Sequence, residues 1–277
     1  MTAVSPRTNL RAGFDRARAA GRAALVGYVP AGFPSYDGAV AAARAMVEAG
    51  VDIVEIGLPY SDPMIDGPVI QDAVHRALQG GTRIADVLRT VEAVAATGAS
   101  TAVMTYWNPV DQYGCQRFAR DLAAAGGAGV ITPDLTPEEA APWLDATAAA
   151  GVDPVFLVAP SSTDRRIATV AEVTGGFVYA ASTMGVTGAR GRVGDRAAGL
   201  VARVRARTDL PVAVGLGVRD GGQAAEVASF ADGVIVGSAF VQRLLDAGTA
   251  AESRGVADVR VLAADLAEGV RSTARGG

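Results

Sequence analysis

Apolar positions along this chain fall into two alternating kinds of run. Eight are short and apolar almost throughout: ALVGYVP (24–30), VDIVEIG (51–57), STAVMTYW (100–107), GVITPD (129–134), DPVFLVAP (153–160), GFVYAAS (176–182), PVAVGLG (211–217) and DGVIVGS (232–238). Between them lie Ala-rich stretches with apolar residues at helical spacing, such as SYDGAVAAARAMVEAG, TRIADVLRTVEAVAATG, QRFARDLAAAG and PEEAAPWLDATAAAG, each closed by a glycine stop signal. Strands apolar on both faces and separated by helices predict parallel βαβ units, since helices then cover the sheet. Eight units in about 250 residues predict a closed (β/α)8 TIM barrel, with an open doubly wound sheet as the alternative. No linker or composition shift interrupts the pattern, so residues 1–277 are expected to form a single domain, with an extra N-terminal helix before the first strand.

Composition narrows the chemistry more than the fold. Half of the residues are hydrophobic, yet none of the runs reaches the ~18 consecutive apolar residues of a membrane span. The opening MTAVSPRTNLRAGFDRARAAGR carries five Arg and no continuous apolar core, and reads as a short basic amphipathic helix rather than a secretion signal. The lone Cys115 allows no internal disulfide, in keeping with a reducing compartment, and a cytoplasmic protein is expected. The chain has no lysine and a single histidine, His75, on a helical pattern. Lysine Schiff bases, the P-loop lysine and multi-histidine metal sites are thereby excluded. A net charge of −4 without an Arg cluster among aromatics argues against nucleic acid. Carboxylates and tyrosines remain as acid–base candidates.

One stretch concentrates them. In EIGLPYSDPMIDGP (55–68) an apolar strand carries Glu55 and is followed by a proline-stiffened loop bearing Asp62 and Asp66. A buried carboxylate is costly unless paired, hydrogen-bonded or protonated, and barrel chemistry sits at the carboxyl ends of the strands. Asp62, before Pro63, also fits a turn-capping role. On the other side of the expected mouth, GVTGAR (185–190), GLGVRDGG (215–222) and GSAF (237–240) follow the last three strands. Glycine loops and a helix N-terminus offer backbone N–H groups to phosphate without lysine. The residues therefore point to a small phosphorylated substrate held opposite carboxylates.

Taken together, EIGLPYSDPMIDGPVIQ, MTYWNPV, PDLTPEE, FLVAPSS, FVYAASTMGVTGAR, PVAVGLGV and ADGVIVGSAFV resemble the tryptophan synthase alpha subunit family, in order, over roughly residues 20 to 245. The resemblance implies retro-aldol cleavage of indole-3-glycerol phosphate to indole and glyceraldehyde 3-phosphate without a cofactor. It implies Glu55 as general acid and base, Asp66 as the partner of the indole N–H, Tyr179 near the reacting groups and Tyr106 in the indole pocket. On that reading Leu25, Tyr106, Val130, Leu157 and Leu216 are expected to form an apolar slot for the indole. Gly188, Gly217, Gly237 and Ser238 correspond to phosphate donors, and Thr187 is placed to latch onto Asp66. An Arg common in the family two residues before the phosphate-loop glycine is absent, Thr183 and Met184 standing there. The implied partner is a pyridoxal phosphate-dependent beta subunit in an alpha2beta2 heterotetramer, facing Pro59 to Asp62 and Asn108. A stand-alone indole lyase and a non-catalytic barrel that only activates a beta subunit are the alternative readings. Loops 59–67 and 185–194, rich in turn residues, are expected to be mobile in the isolated chain.

Overall fold

The computed structural model describes residues 10–181, 190–248 and 251–273. Its strands are β1 (Ala24–Pro30), β2 (Ile53–Gly57), β3 (Ser100–Met104), β4 (Gly129–Ile131), β5 (Asp153–Val155), β6 (Leu157–Val158), β7 (Val178–Ala181), β8 (Val212–Gly215) and β9 (Gly233–Val236). Its helices are α1 (Leu10–Ala19), α2 (Tyr36–Ala49), α3 (Pro68–Gln79), α4 (Ile84–Ala95), α5 (Trp107–Tyr113), α6 (Cys115–Ala124), α7 (Ala141–Ala150), α8 (Asp164–Val173), α9 (Arg190–Arg205), α10 (Gly221–Ala228), α11 (Ser238–Ala247) and α12 (Glu252–Ser272). All strand pairs are parallel, in the order β5, β4, β3, β2, β1, β9, β8, β7, β6. The two ends of that order, β5 and β6, are consecutive in the chain and separated only by Phe156. They are the halves of the fifth predicted strand, and their continuity brings the sheet round into a barrel. Pro154 has no N–H to give, which weakens the ladder where the strand breaks.

Side chains alternate between two apolar layers. Val26, Ile53, Ala102, Ile131, Val155, Phe177, Ala213 and Ile235 fill the barrel interior, whereas Leu25, Val54, Val103, Val130 and Val214 pack outward under the helices. This corrects the expected slot: Leu25, Val130 and Leu216 belong to the outer layer and do not line the mouth. The strands are apolar on both faces, so their pattern carries no phase from which inside and outside could be told.

Helix α1 explains how the amino-terminal end is closed. Leu10, Phe14 and Ala17 join the interior layer, and the Phe14 ring lies 5.1 Å from that of Phe177. A Cβ on Gly233 would come within 2.7 Å of the Phe14 ring, so glycine there admits the plug. The predicted basic amphipathic helix thus spends its apolar face on the barrel floor. Among the described residues, no helix is long and apolar enough to cross a membrane.

Candidate active site

At the carboxyl ends of the strands a cavity of about 840 Å³ opens inside the barrel. Its lining alternates as the interior layer does. Tyr28 from β1, Glu55 from β2, Met104 from β3, Leu157 from β6, Tyr179 from β7 and Ile235 from β9 all face it. Ile65, Asp66 and Ile70 enter from the loop after β2 and the start of α3, and Gly217, Gly237 and Ser238 close the wall after β8 and β9. The apolar surface expected from the sequence is therefore present, but it comes from Tyr28, Ile65, Ile70, Met104, Leu157 and Ile235.

Glu55 lies in the middle of β2 and is 1 % exposed. Its Oε1 has no hydrogen-bond partner among the described residues. Burial disfavours the charged form and pushes its pKa up to about 8. The puzzle of an acid in an apolar strand resolves without an ion pair, since burial favours the protonated form of Glu55 near neutral pH.

Asp66 is half-buried and differently furnished. Its Oδ2 accepts a hydrogen bond from the Tyr106 hydroxyl at 3.1 Å. That hydroxyl in turn accepts from the backbone N–H groups of Met64 and Ile65, both at 3.0 Å. A phenol has two lone pairs and one proton; with both lone pairs engaged, the proton is committed to Asp66. Burial raises the Asp66 pKa while the Tyr106 hydrogen bond opposes the rise. Tyr106 is 5 % exposed and is not among the cavity-lining residues; the structure places it behind Asp66, 5.4 Å from the Tyr60 ring. Tyr60 accepts a hydrogen bond from Asn108 at 3.2 Å, which ties the start of α5 to the same loop. Asp62 is exposed and its carboxylate accepts from the neighbouring Ser61 hydroxyl.

The remaining predicted residues divide. Tyr179 faces the cavity, its pKa held well above the usual phenol value by burial and then by Glu55 and Asp66. Gly217 has φ +67°, a conformation that glycine adopts without strain, and Gly237 precedes the first turn of α11 with no side-chain cap. The orphan N–H groups of that turn, including that of Ser238, are what a phosphate requires. By contrast, Asp220, Gly221 and Gly222 do not belong to the lining: Asp220 caps α10, and the Gly221 N–H donates to Asp265 at 2.7 Å. Thr187 and Gly188, with Thr183 and Met184, lie outside the described residues, and Arg190 already begins α9, so the expected 185–194 loop is shorter than read. His75 is exposed on α3 beside Gln79. Among the described residues no three His, Cys, Asp or Glu side chains cluster as a metal site.

Two features escaped the sequence reading. Tyr28 shares the inward phase of Ala24 and Val26, a signal that was available once the phase of β1 was known. Arg166 and Arg196 reach the far rim, giving the cavity cationic residues across from its acids; Arg166 is held by Glu138 at 2.7 Å.

Known proteins resemble this chain in both sequence and fold. The family model described as tryptophan synthase alpha chain matches residues 14–271. A tryptophan synthase alpha chain from Nocardia farcinica is 57% identical over 269 residues, covering 97% of this chain and 98% of the relative. Among solved structures, tryptophan synthase from M. tuberculosis in an open form superposes with a TM-score of 0.87 at 52% identity, covering 95% of this chain and 99% of the other. The tryptophan synthase subunit alpha of Legionella pneumophila superposes equally well, with a TM-score of 0.87 at 29% identity, covering 96% of this chain and 99% of the other.

Proposed function

The chain belongs to the tryptophan synthase alpha chain family, and from that premise we propose how its cavity performs the family's lyase reaction, the cleavage of indole-3-glycerol phosphate. Glu55, protonated at rest, gives its proton to C3 of the indole. The resulting positive charge on the ring nitrogen is met by the ionised Asp66, held ready by Tyr106, an electrostatic stabilisation placed where charge develops. Glu55, now a carboxylate, accepts the proton of the hydroxyl on the adjoining chain carbon. The bond between that carbon and C3 breaks, its electron pair returns to the ring, and indole and glyceraldehyde 3-phosphate result. Each proton that Glu55 gives is regained within the turnover.

Gly217, Gly237 and Ser238 bind the phosphate with backbone N–H groups, Tyr179 borders the reacting centre, and Tyr106 serves substrate binding through Asp66. The single observation that carries this reading is the buried Glu55, with an unpartnered carboxyl oxygen, on the wall of the 840 Å³ cavity in the barrel mouth. No step of this mechanism calls on a cofactor. The partner is the tryptophan synthase beta subunit, in an alpha2beta2 assembly, docking on the exposed Ser61 and Asp62 and on Asn108 at this end of the barrel. We place the protein in the cytoplasm, where a biosynthetic enzyme with one unpaired cysteine belongs.

The test is Glu55→Gln, which keeps size and polarity but removes proton transfer. Cleavage should fall by ~10²–10⁴ while substrate still binds. Retention of activity would overturn the assignment. Indole release by the isolated chain, measured with and without the beta subunit, separates an activated enzyme from a stand-alone lyase and from a barrel that only activates its partner.

A further inference from the structure

The order of strands around the mouth says something about the middle of the substrate. The acids come from β2 and the loop that follows it, whereas the phosphate wall follows β9 and β8. In the sheet β1 lies between β2 and β9. A molecule with its ring at Asp66 and its phosphate at Gly237 and Ser238 must therefore pass its connecting chain across β1. The residue that β1 presents there is Tyr28, paired in register with Glu55.

The Tyr28 ring spans that gap. A Cβ built on Gly237 would sit 3.5 Å from the Tyr28 Cβ and 3.6 Å from its Cδ1, so the ring starts beside the phosphate wall. A Cβ built on Gly57, the next inward position after Glu55, would overlap the Tyr28 hydroxyl and Cζ, so the ring ends on the acid side. Tyr28 is 6 % exposed, and no hydrogen bond holds its hydroxyl among the described residues. Burial above all, and then the nearby Asp66 carboxylate, keeps the phenol protonated, which leaves it a donor facing the cavity. A phenylalanine would cover the same apolar area; the hydroxyl is what needs an explanation. Of the three parts of the substrate, the ring calls for apolar walls and the phosphate for backbone N–H groups. The glycerol hydroxyls lose water on entry and incur a desolvation cost unless a donor or acceptor replaces it.

We propose that the Tyr28 hydroxyl donates a hydrogen bond to the glycerol chain of the substrate, making Tyr28 the residue that selects a hydroxylated linker between ring and phosphate. This rests on the reading of the cavity given above. A chain hydroxyl that accepts from Tyr28 keeps its own proton for Glu55, the neighbouring side chain in register, so the contact also presents the reacting oxygen to its base.

The experiment compares two ligands on Tyr28→Phe, a variant that keeps the ring and its packing. One is indole-3-glycerol phosphate; the other is indole-3-propanol phosphate, with the same ring, chain length and phosphate but no chain hydroxyls. A single hydrogen bond corresponds to about two- to twelvefold. The expected result is a fall of that size in kcat/KM for the glycerol phosphate, with the inhibition constant of the propanol phosphate unchanged. Equal weakening of both ligands would make Tyr28 a packing residue, and no weakening of either would leave its hydroxyl without a role; each overturns the proposal. If the propanol phosphate failed to compete with substrate on the parent protein, the reading of the cavity itself would fall. Competition in the parent followed by parallel behaviour in the variant would overturn Tyr28 alone.

Discussion

The two ends of this barrel carry similar acids and treat them in opposite ways. At the amino-terminal end, Asp52 takes a two-pronged hydrogen bond from Arg22 at 2.6 and 2.8 Å and also accepts from the Leu25 N–H. Asp153 receives the Leu10 N–H that opens α1, and Asp232 receives the Val212 N–H and Arg205. Each of these three carboxylates is tied to the backbone at the start of a strand or helix, and together with Phe14 they fix the floor. At the carboxyl end, Glu55 has an oxygen with no partner among the described residues and a pKa of about 8, and Asp66 depends on one phenol. One end settles its polar groups among themselves; the other leaves them for a ligand. A reactive site on this scaffold thus consists of withheld hydrogen bonds, at a cost in stability that the opposite end helps to offset.

The contrast is broken most severely from below. Phe14→Ala removes the ring that plugs the floor against Phe177 and Gly233. Truncation of a buried phenylalanine costs about 3–5 kcal/mol, so urea unfolding should move to markedly lower denaturant with little change in slope. The turnover of the folded fraction should stay close to the parent's, because the floor contributes nothing to the cavity lining. A turnover that fell in step with stability would show that the two ends are not separable.

From above, the same comparison predicts a gain. The folded pKa of Glu55 is raised, so at pH below about 4.5, its unfolded value, both states hold the proton and no penalty arises. Between there and about 8 the folded state must retain a proton the unfolded state has released, and stability falls with pH by about 1.4 kcal/mol per unit. Glu55→Gln removes that dependence. Its advantage over the parent should grow across this window and level off above it, reaching a few kcal/mol while activity is lost. Unfolding curves for both proteins at pH 5, 7 and 9 decide it, and a constant difference would mean that Glu55 is not protonated in the folded state.

The proposed phosphate wall gives a smaller and purely functional effect. At Gly237 the nearest side-chain atoms to an added Cβ are at 3.5 Å, so the first carbon of a side chain meets only ordinary contacts there. Gly217 at φ +67° is not a clean choice, because any side chain there strains the turn whether or not a ligand is present. Gly237→Val should raise the Michaelis constant about tenfold or more, equivalent to roughly 1.4 kcal/mol, with the melting temperature little changed. An unchanged Michaelis constant would remove phosphate from this wall.

How far the chain could be read beforehand follows from the same physics. All eight strands were legible, because fully apolar runs between glycine-stopped helices have few other solutions. The carboxylate in the second run was legible because it violates that pattern. The phase of each strand was not, and Leu25, Val130 and Leu216 were assigned to the wrong face while Tyr28 went unnoticed. An alternation exists only where one face meets water, and here neither does. The glycines of GLGVRDGG looked alike in sequence, yet Gly217 borders the cavity and Gly221 meets α12, a difference set by contacts 44 residues away. Tyr106 was read as a wall of the pocket because only geometry shows that its hydroxyl is already fully engaged behind Asp66.

That engagement gives the finest test of the two-ended picture. Asp66 is pulled in two directions, burial raising its pKa and the Tyr106 hydrogen bond lowering it, with Glu55, Tyr28 and Tyr179 as titratable neighbours in the cavity. The proposed mechanism requires Asp66 ionised and Glu55 protonated, so kcat/KM should be bell-shaped in pH, its alkaline limb near the Glu55 value of about 8. Tyr106→Phe keeps the ring against Tyr60 but removes the one proton Asp66 accepts from it. The Asp66 pKa then rises, and the acid limb should move to higher pH, because the charged form has lost its hydrogen bond. The alkaline limb, which belongs to Glu55, should stay in place. Activity near neutral pH would drop modestly and recover as pH is raised toward the Glu55 limit, a recovery that simple damage to the Met64–Asp66 loop would not give. If the acid limb stayed put while activity fell at every pH, Tyr106 would be shaping the loop alone, and the division between a settled floor and a poised mouth would have to be redrawn around Asp66.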